Sequence, residues 1–147
     1  MALPEWIELQ VVTPARHVLQ ETVVAVEIPG KDGYLGVLPG HAPLITELGV
    51  GILAYRTTSE TRYLTIVNGF VEVLPDRVIV LAEISEKAEE IDVNRSRAAQ
   101  QRAEAELQRI PAGSPEWEAE RQAVERAIVR MGAAAKAGSG GSAGAAR

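Results

Sequence analysis

Arg62-Tyr63-Leu64-Thr65-Ile66-Val67-Asn68-Gly69-Phe70-Val71-Glu72-Val73-Leu74 is the stretch on which the fold class turns. Both flanks are rich in β-branched and apolar residues. Asn-Gly between them tolerates positive φ at both positions, so the spacing predicts a hairpin with its turn at Asn68-Gly69. Pro75-Asp76 turns the chain again, into Arg77-Val78-Ile79-Val80-Leu81-Ala82. Upstream, Trp6-Ile7-Glu8-Leu9-Gln10-Val11-Val12 alternates and stops at Thr13-Pro14. Val18 to Ile28 repeats the signal, with Thr22, Val24, Val26 and Ile28 expected on one face. Short strands between regular turns predict an antiparallel β-sandwich or barrel over residues 1–86.

From about Ile91 the period changes. Ala, Glu, Arg and Gln replace the β-branched residues. Asp92 is a candidate cap for a helix from Val93 to about Arg109. Ala99, Ala103 and Leu107 give it a narrow apolar stripe. Pro111-Ala112-Gly113 breaks the helix, and Ser114-Pro115-Glu116 restarts it: a cap, a proline at the first helical position and an acid at the positive dipole end. Trp117, Val124, Ala127, Ile128 and Met131 form the second stripe. The expectation is therefore an α+β chain, with an antiparallel helical hairpin over 87–136 after the sandwich. Residues 137–147 have the composition of a flexible Gly/Ser/Ala tail.

A chain of 147 residues is one ordinary domain, or one domain with an appendage. With 4% aromatics, its core must be built mainly from Val, Leu, Ile and Ala. A net charge of -5 leaves no electrostatic footprint for nucleic acid. Without cysteine there is no disulfide, thiolate metal site or thiol nucleophile. No apolar run approaches the ~20 residues that span a bilayer. The first residues lack a basic segment followed by an apolar one, so no signal peptide is expected. These features point to a cytoplasmic protein that reaches a membrane only through a partner.

The densest punctuation lies in Ile28-Pro29-Gly30-Lys31-Asp32-Gly33-Tyr34-Leu35-Gly36-Val37-Leu38-Pro39-Gly40-His41-Ala42-Pro43-Leu44. Its glycines and prolines fix a path with several tight turns, as a recognition loop or a sandwich corner requires. His41 has no nucleophile, acid pair or second histidine at catalytic or metal-binding spacing, which favours a structural or interface role.

Gly33 to Pro43 closely resembles the glycine-rich, His-Ala-Pro-bearing signature of the epsilon subunits of bacterial F-type ATP synthases. Ile7 to Pro14 is similar to that family's first strand, Asn68 to Val73 to its hairpin, and Glu86 to Ala99 to its first helical segment. The resemblance covers nearly all of residues 5–131 in the same order, and the tail is not part of it.

The resemblance implies a β-sandwich of about ten strands followed by a helical hairpin, without catalytic activity of its own. It implies a rotor subunit on the central stalk that couples the rotating c-ring to the catalytic head through the gamma subunit. Such a subunit sits peripherally at the cytoplasmic face of the inner membrane and is monomeric when isolated. Lys31 to Pro43 corresponds to the c-ring-facing region, with Asp32, Tyr34 and His41 as contact positions. Tyr34 stands where many members carry an acid, which leaves Asp32 as the nearer one.

In the hairpin, Ile91-Asp92-Val93-Asn94-Arg95-Ser96 resembles the nucleotide motif of ATP-binding members. Ser96 replaces the motif's alanine. Glu86, Asp92, Arg95 and Arg102 fall on the motif and its flanks, and Arg126 and Arg130 on the matching second-helix segment. No cofactor is required, but a regulatory ATP is implied, because guanidinium groups fork onto phosphate oxygens. In the family's extended state the hairpin blocks ATP hydrolysis, and Arg121, Arg126 and Arg130 face the catalytic alpha and beta subunits. From the residues alone two other classes stay open: an enzyme, and a generic sandwich adaptor with a dimerising hairpin.

Overall fold

The computed structural model describes the backbone of residues 2–145 and the side chains of residues 2–139. The chain separates into two compact units, Met1–Ala88 and Glu89–Arg147. The first holds seven strands: β1 Ile7–Val12, β2 His17–Val23, β3 Ala25–Gly30, β4 Gly33–Val37, β5 Leu44–Arg56, β6 Thr61–Leu74 and β7 Arg77–Ile84. The second holds the helices α1 Val93–Leu107 and α2 Pro115–Ala145, preceded by a 3-10 turn at Ala88–Glu90.

The strands form one hydrogen-bonded array in the order β2-β1-β7-β6-β5-β3-β4. Neighbours run antiparallel except β1 and β7, which are parallel, so the sheet is mixed where the sequence suggested a purely antiparallel one. Parallel neighbours need a long connection, and everything from β2 to β6 lies between these two in the chain.

The long strands β5 and β6 explain how one array makes a sandwich. In β6, Leu64 and Ile66 point into the core at one end, but Val71 and Val73 do so at the other. The inward set changes parity between them. In β5, Leu48 and then Leu53 and Tyr55 show the same switch. The pairing stays in step across it, with Leu48 opposite Gly69 and Val50 opposite Val67. At the switch Asn68 has φ 53 and Gly69 φ 119. A side-chain alternation of period two can change faces only through such a break.

Asn68-Gly69 is thus a kink inside one continuous strand, not a hairpin turn. The positive φ was foreseen, but no strand reversal accompanies it. β5 and β6 each contribute one half to either layer, so the expected count of about ten strands becomes seven continuous ones. A similar break at Val24 divides β2 from β3. Val23, Val26 and Ile28 are buried there while Thr22 is exposed, which corrects the face assigned from alternation across the whole stretch.

The core is aliphatic: Ile7, Leu9 and Val11 of β1, Val78 and Val80 of β7, Leu53 of β5, and Leu64 and Ile66 of β6 are fully buried. In the second unit Asp92 caps α1, its Oδ1 accepting the Arg95 backbone N–H at 3.0 Å. Ser114 Oγ accepts the Trp117 N–H at 3.1 Å at the start of α2. α1 ends at Leu107, slightly before the expected Arg109. The two helices pack against each other, with Ala103 and Ala127 buried. The backbone of residues 137–145, expected from composition as a flexible tail, continues α2.

Candidate functional site

The outer face of the β1–β7–β6–β5 layer carries exposed apolar side chains among its polar ones. Opposite the buried Val71 and Val73, β6 turns Phe70 and Glu72 outward. Register places Phe70 beside Leu81 of β7 and Glu47 of β5, and Glu72 beside Ile79 and Ile45. Val12 of β1 is opposite Leu81. Ile45 is 70% exposed, and Phe70 and Leu81 are 53% exposed each. Cross-strand neighbours lie about 5 Å apart, so these side chains form one patch. Contiguous apolar surface on a rigid sheet marks an interaction face. Sequence reasoning missed it. The legible signal was Phe70, the chain's only phenylalanine, in a strand position that alternates with buried valines.

The glycine-rich region is divided rather than gathered. Lys31-Asp32 is the two-residue connection between β3 and β4, with Gly30 paired to Gly33. Asp32 is exposed there. Lys31 Nζ pairs with Glu47 at 2.8 Å. The hydrogen bond that Lys31 donates to Glu47, then that carboxylate's charge, raises the lysine pKa above the ordinary value. His41 lies beyond the far end of β4, where Gly40 N–H donates to the Pro75 carbonyl at 2.7 Å. A five-residue strand spans about 16 Å, so Asp32 and His41 are not one cluster. His41 Nδ1 hydrogen-bonds the Ala42 carbonyl at 2.6 Å and therefore carries the proton.

Tyr34 has a structural task. Between Glu27 and Gly30 the β3–β5 pairing is interrupted, and Pro29 has no N–H to give. The Tyr34 hydroxyl accepts the Ile52 N–H at 3.0 Å in that gap. A Cβ on Gly51 would stand 2.5 Å from this hydroxyl and 2.7 Å from Pro29 Cβ, so glycine makes room for the ring.

The candidate ATP residues divide between the units: Glu86 belongs to the first, the rest to the second. The Asp92 carboxylate accepts the Arg95 backbone N–H as the helix cap, the role its position in the sequence suggested. Arg95 and Arg102 are exposed on α1, while Arg126 and Arg130 are half-buried on α2. With helices antiparallel around the break at 108–114, a common rise of about 1.5 Å per residue sets Arg126 and Arg130 level with Asp92 and Arg95. Arg102 falls about two turns away, level with Glu120. Arg121 is held by Glu118, with Nη2 to Oε1 at 2.6 Å and Nε to both oxygens at 3.1 Å. Those hydrogen bonds hold the Glu118 carboxyl below the usual carboxylate range and raise Arg121. Among the described residues no three His, Cys, Asp or Glu side chains are grouped to hold a metal. No described helix is long and apolar enough to cross a membrane.

Residues 6–88 match the family model described as the ATP synthase, Delta/Epsilon chain, beta-sandwich domain. The chain belongs to the ATP synthase epsilon family. An ATP synthase epsilon chain of Koribacter versatilis is 54% identical over 101 residues, 69% of this chain and 71% of its own length. An ATP synthase epsilon chain of Syntrophotalea carbinolica is 44% identical over 91% of this chain and 97% of its own. That second match takes in both units. A chain in the cryo-EM structure of the Euglena gracilis mitochondrial ATP synthase (OSCP/F1/c-ring) superposes with TM-score 0.75 at 26% identity, over 87% of this chain and 81% of that one. Epsilon chains are non-catalytic subunits of the complex.

Proposed function

We propose that this epsilon-family chain works as a central-stalk rotor subunit, peripheral at the cytoplasmic face of the membrane, coupling the c-ring to the catalytic head. Its outer sheet face docks on the gamma subunit. The observation that carries this reading is the Ile45–Phe70–Leu81 patch, whose exposed apolar area is unexplained in an isolated chain. The Asp32 turn and the Gly40-His41 corner, at opposite ends of β4, face the c-ring as two separate footholds. Tyr34 supports the first from within. Mixing the chain with its gamma subunit should give a one-to-one complex. Phe70→Ser should weaken it by roughly tenfold or more, as for an aromatic anchor. A stable homodimer, with no gamma complex, would instead favour an adaptor with a dimerising hairpin.

The hairpin is the regulatory unit. It inhibits ATP hydrolysis when it reaches the catalytic alpha and beta subunits, presenting Arg126 and Arg130, with Arg121 drawn away from Glu118. Three arginines level with one acid at the open end of the hairpin suit a polyphosphate, and this supports regulatory ATP at Asp92, Arg95, Arg126 and Arg130. Arg102, two turns along α1, is the outer member of that set. Removing the residues after Glu90 should leave an assembled enzyme with raised ATPase activity; unchanged hydrolysis would count against inhibition. Calorimetric titration with MgATP tests the nucleotide separately. Absence of heat at millimolar ligand would remove ATP from the reading and leave the inhibitory hairpin standing.

A further inference from the structure

We propose that a depression beside Trp6 is a binding site for a guanidinium group, the arginine side chain of a partner protein. The depression has a volume of about 390 Å³ and is lined by Trp6, Glu21, Thr57, Thr58 and Ser59 among others. It lies wholly within the first unit, where the turn between β5 and β6 meets the start of β1 and the edge strand β2. It shares no residue with the outer-face patch or with the glycine-rich region.

Three features select the ligand. Trp6 is 47% exposed and is one of the residues lining the depression. An indole face attracts a cation above it, and guanidinium stacks there better than a compact ammonium. Glu60, at one rim, is already engaged by Arg62 Nε at 2.8 Å. Glu21 has no such partner among the described residues, so its charge is the uncompensated one. A carboxylate beside an aromatic face gives a guanidinium both its bidentate acceptor and its stacking surface.

The third feature is the floor. Thr57 Oγ1 accepts the backbone N–H groups of Ser59 at 3.3 Å and Glu60 at 3.2 Å, and Thr57 N–H donates to the Glu60 carbonyl at 2.9 Å. The turn is therefore held without a ligand, with Ser59 Oγ also hydrogen-bonded to Thr57 Oγ1 at 3.3 Å, and Thr58 and Ser59 line the depression. The volume is at the small end for a ligand pocket, which fits one side chain rather than a nucleotide.

The test uses the full chain and its indole N–H resonances, with Trp6 and Trp117 told apart in Trp117→Phe. Titration with arginine amide should shift the Trp6 signal with a half-point on the order of 10 mM. The Trp117 signal should not move. Citrulline amide, neutral and nearly isosteric, should leave Trp6 in place. Glu21→Gln, an exposed substitution, should weaken the arginine response about threefold or more. Equal shifts with citrulline amide, a preferential shift with methyl glucoside, or an arginine response unchanged in Glu21→Gln would each overturn the proposal. Because no stalk partner is present, none of these outcomes depends on the coupling role.

Discussion

Gly69 holds a position that no side chain can share. Its φ is 119, and a Cβ there would collide with the Leu81 carbonyl oxygen and stand 2.9 Å from Ala82 Cα. Backbone on the neighbouring strand cannot step aside, so strain and collision add. Gly69→Ala is expected to cost about 3 kcal/mol or more, seen as a lower urea midpoint with an unchanged slope. Ser85 points the other way. It is 5% exposed, and its hydroxyl has no hydrogen-bond partner among the described residues. A buried hydroxyl left unpaired is a net cost. Ser85→Ala should raise stability by about 1 kcal/mol in the same measurement, and a loss of that size would mean that the hydroxyl is satisfied in solution. Tyr34→Phe removes the acceptor of the Ile52 N–H and should cost about 1 kcal/mol, because that amide lies near water.

At the scale of elements, the second helix carries a pH signature. The hydrogen bonds from Arg121 depress the folded pKa of Glu118 below its ordinary value of 4.5. A depressed carboxylate contributes stability that is complete above the unfolded value and is lost as pH falls through the folded one. Circular dichroism melts from pH 7 down to about pH 2 should therefore show α2 losing more stability in the native chain than in Glu118→Gln. Parallel pH profiles would show that the pair contributes nothing. Helix boundaries such as this one were legible in the sequence because capping is local: Asp92, Ser114 and Pro115 act within one turn of themselves. The Asn68-Gly69 kink was misread because positive φ serves a reversal and a parity switch equally well. What distinguishes them is pairing of both β6 halves to β5 and β7, which is tertiary. The apolar outer face was hidden for the same reason. Alternation shows that Phe70 opposes Val71, but not which face is covered. The candidate arginines were legible by spacing, whereas the commitment of Arg121 to Glu118 depends on a rotamer.

The two units differ in what holds them. Every residue of the hydrophobic core cluster lies between Ile7 and Ala82, and most are Val, Leu or Ile. Among the described residues of α1 and α2 the buried ones are Ser96, Ala103, Ala127 and Ala133. Burial contributes about 25 cal/mol per Å² of apolar surface, so alanines supply little. α1 has fifteen residues, a length at which an isolated helix is marginal. The sheet should therefore open only on global unfolding, while the hairpin opens locally at much lower free energy. Amide exchange should show core amides of β1, β6 and β7 protected at least about a hundredfold more than those of α1. A chain ending at residue 90 should keep the cooperative melt of its sheet, since no core residue is removed. If α1 amides in the full chain exchange as slowly as those of β6, the two units unfold together. The low local cost of releasing the hairpin, on which a switch of modest ligand affinity depends, would then be absent.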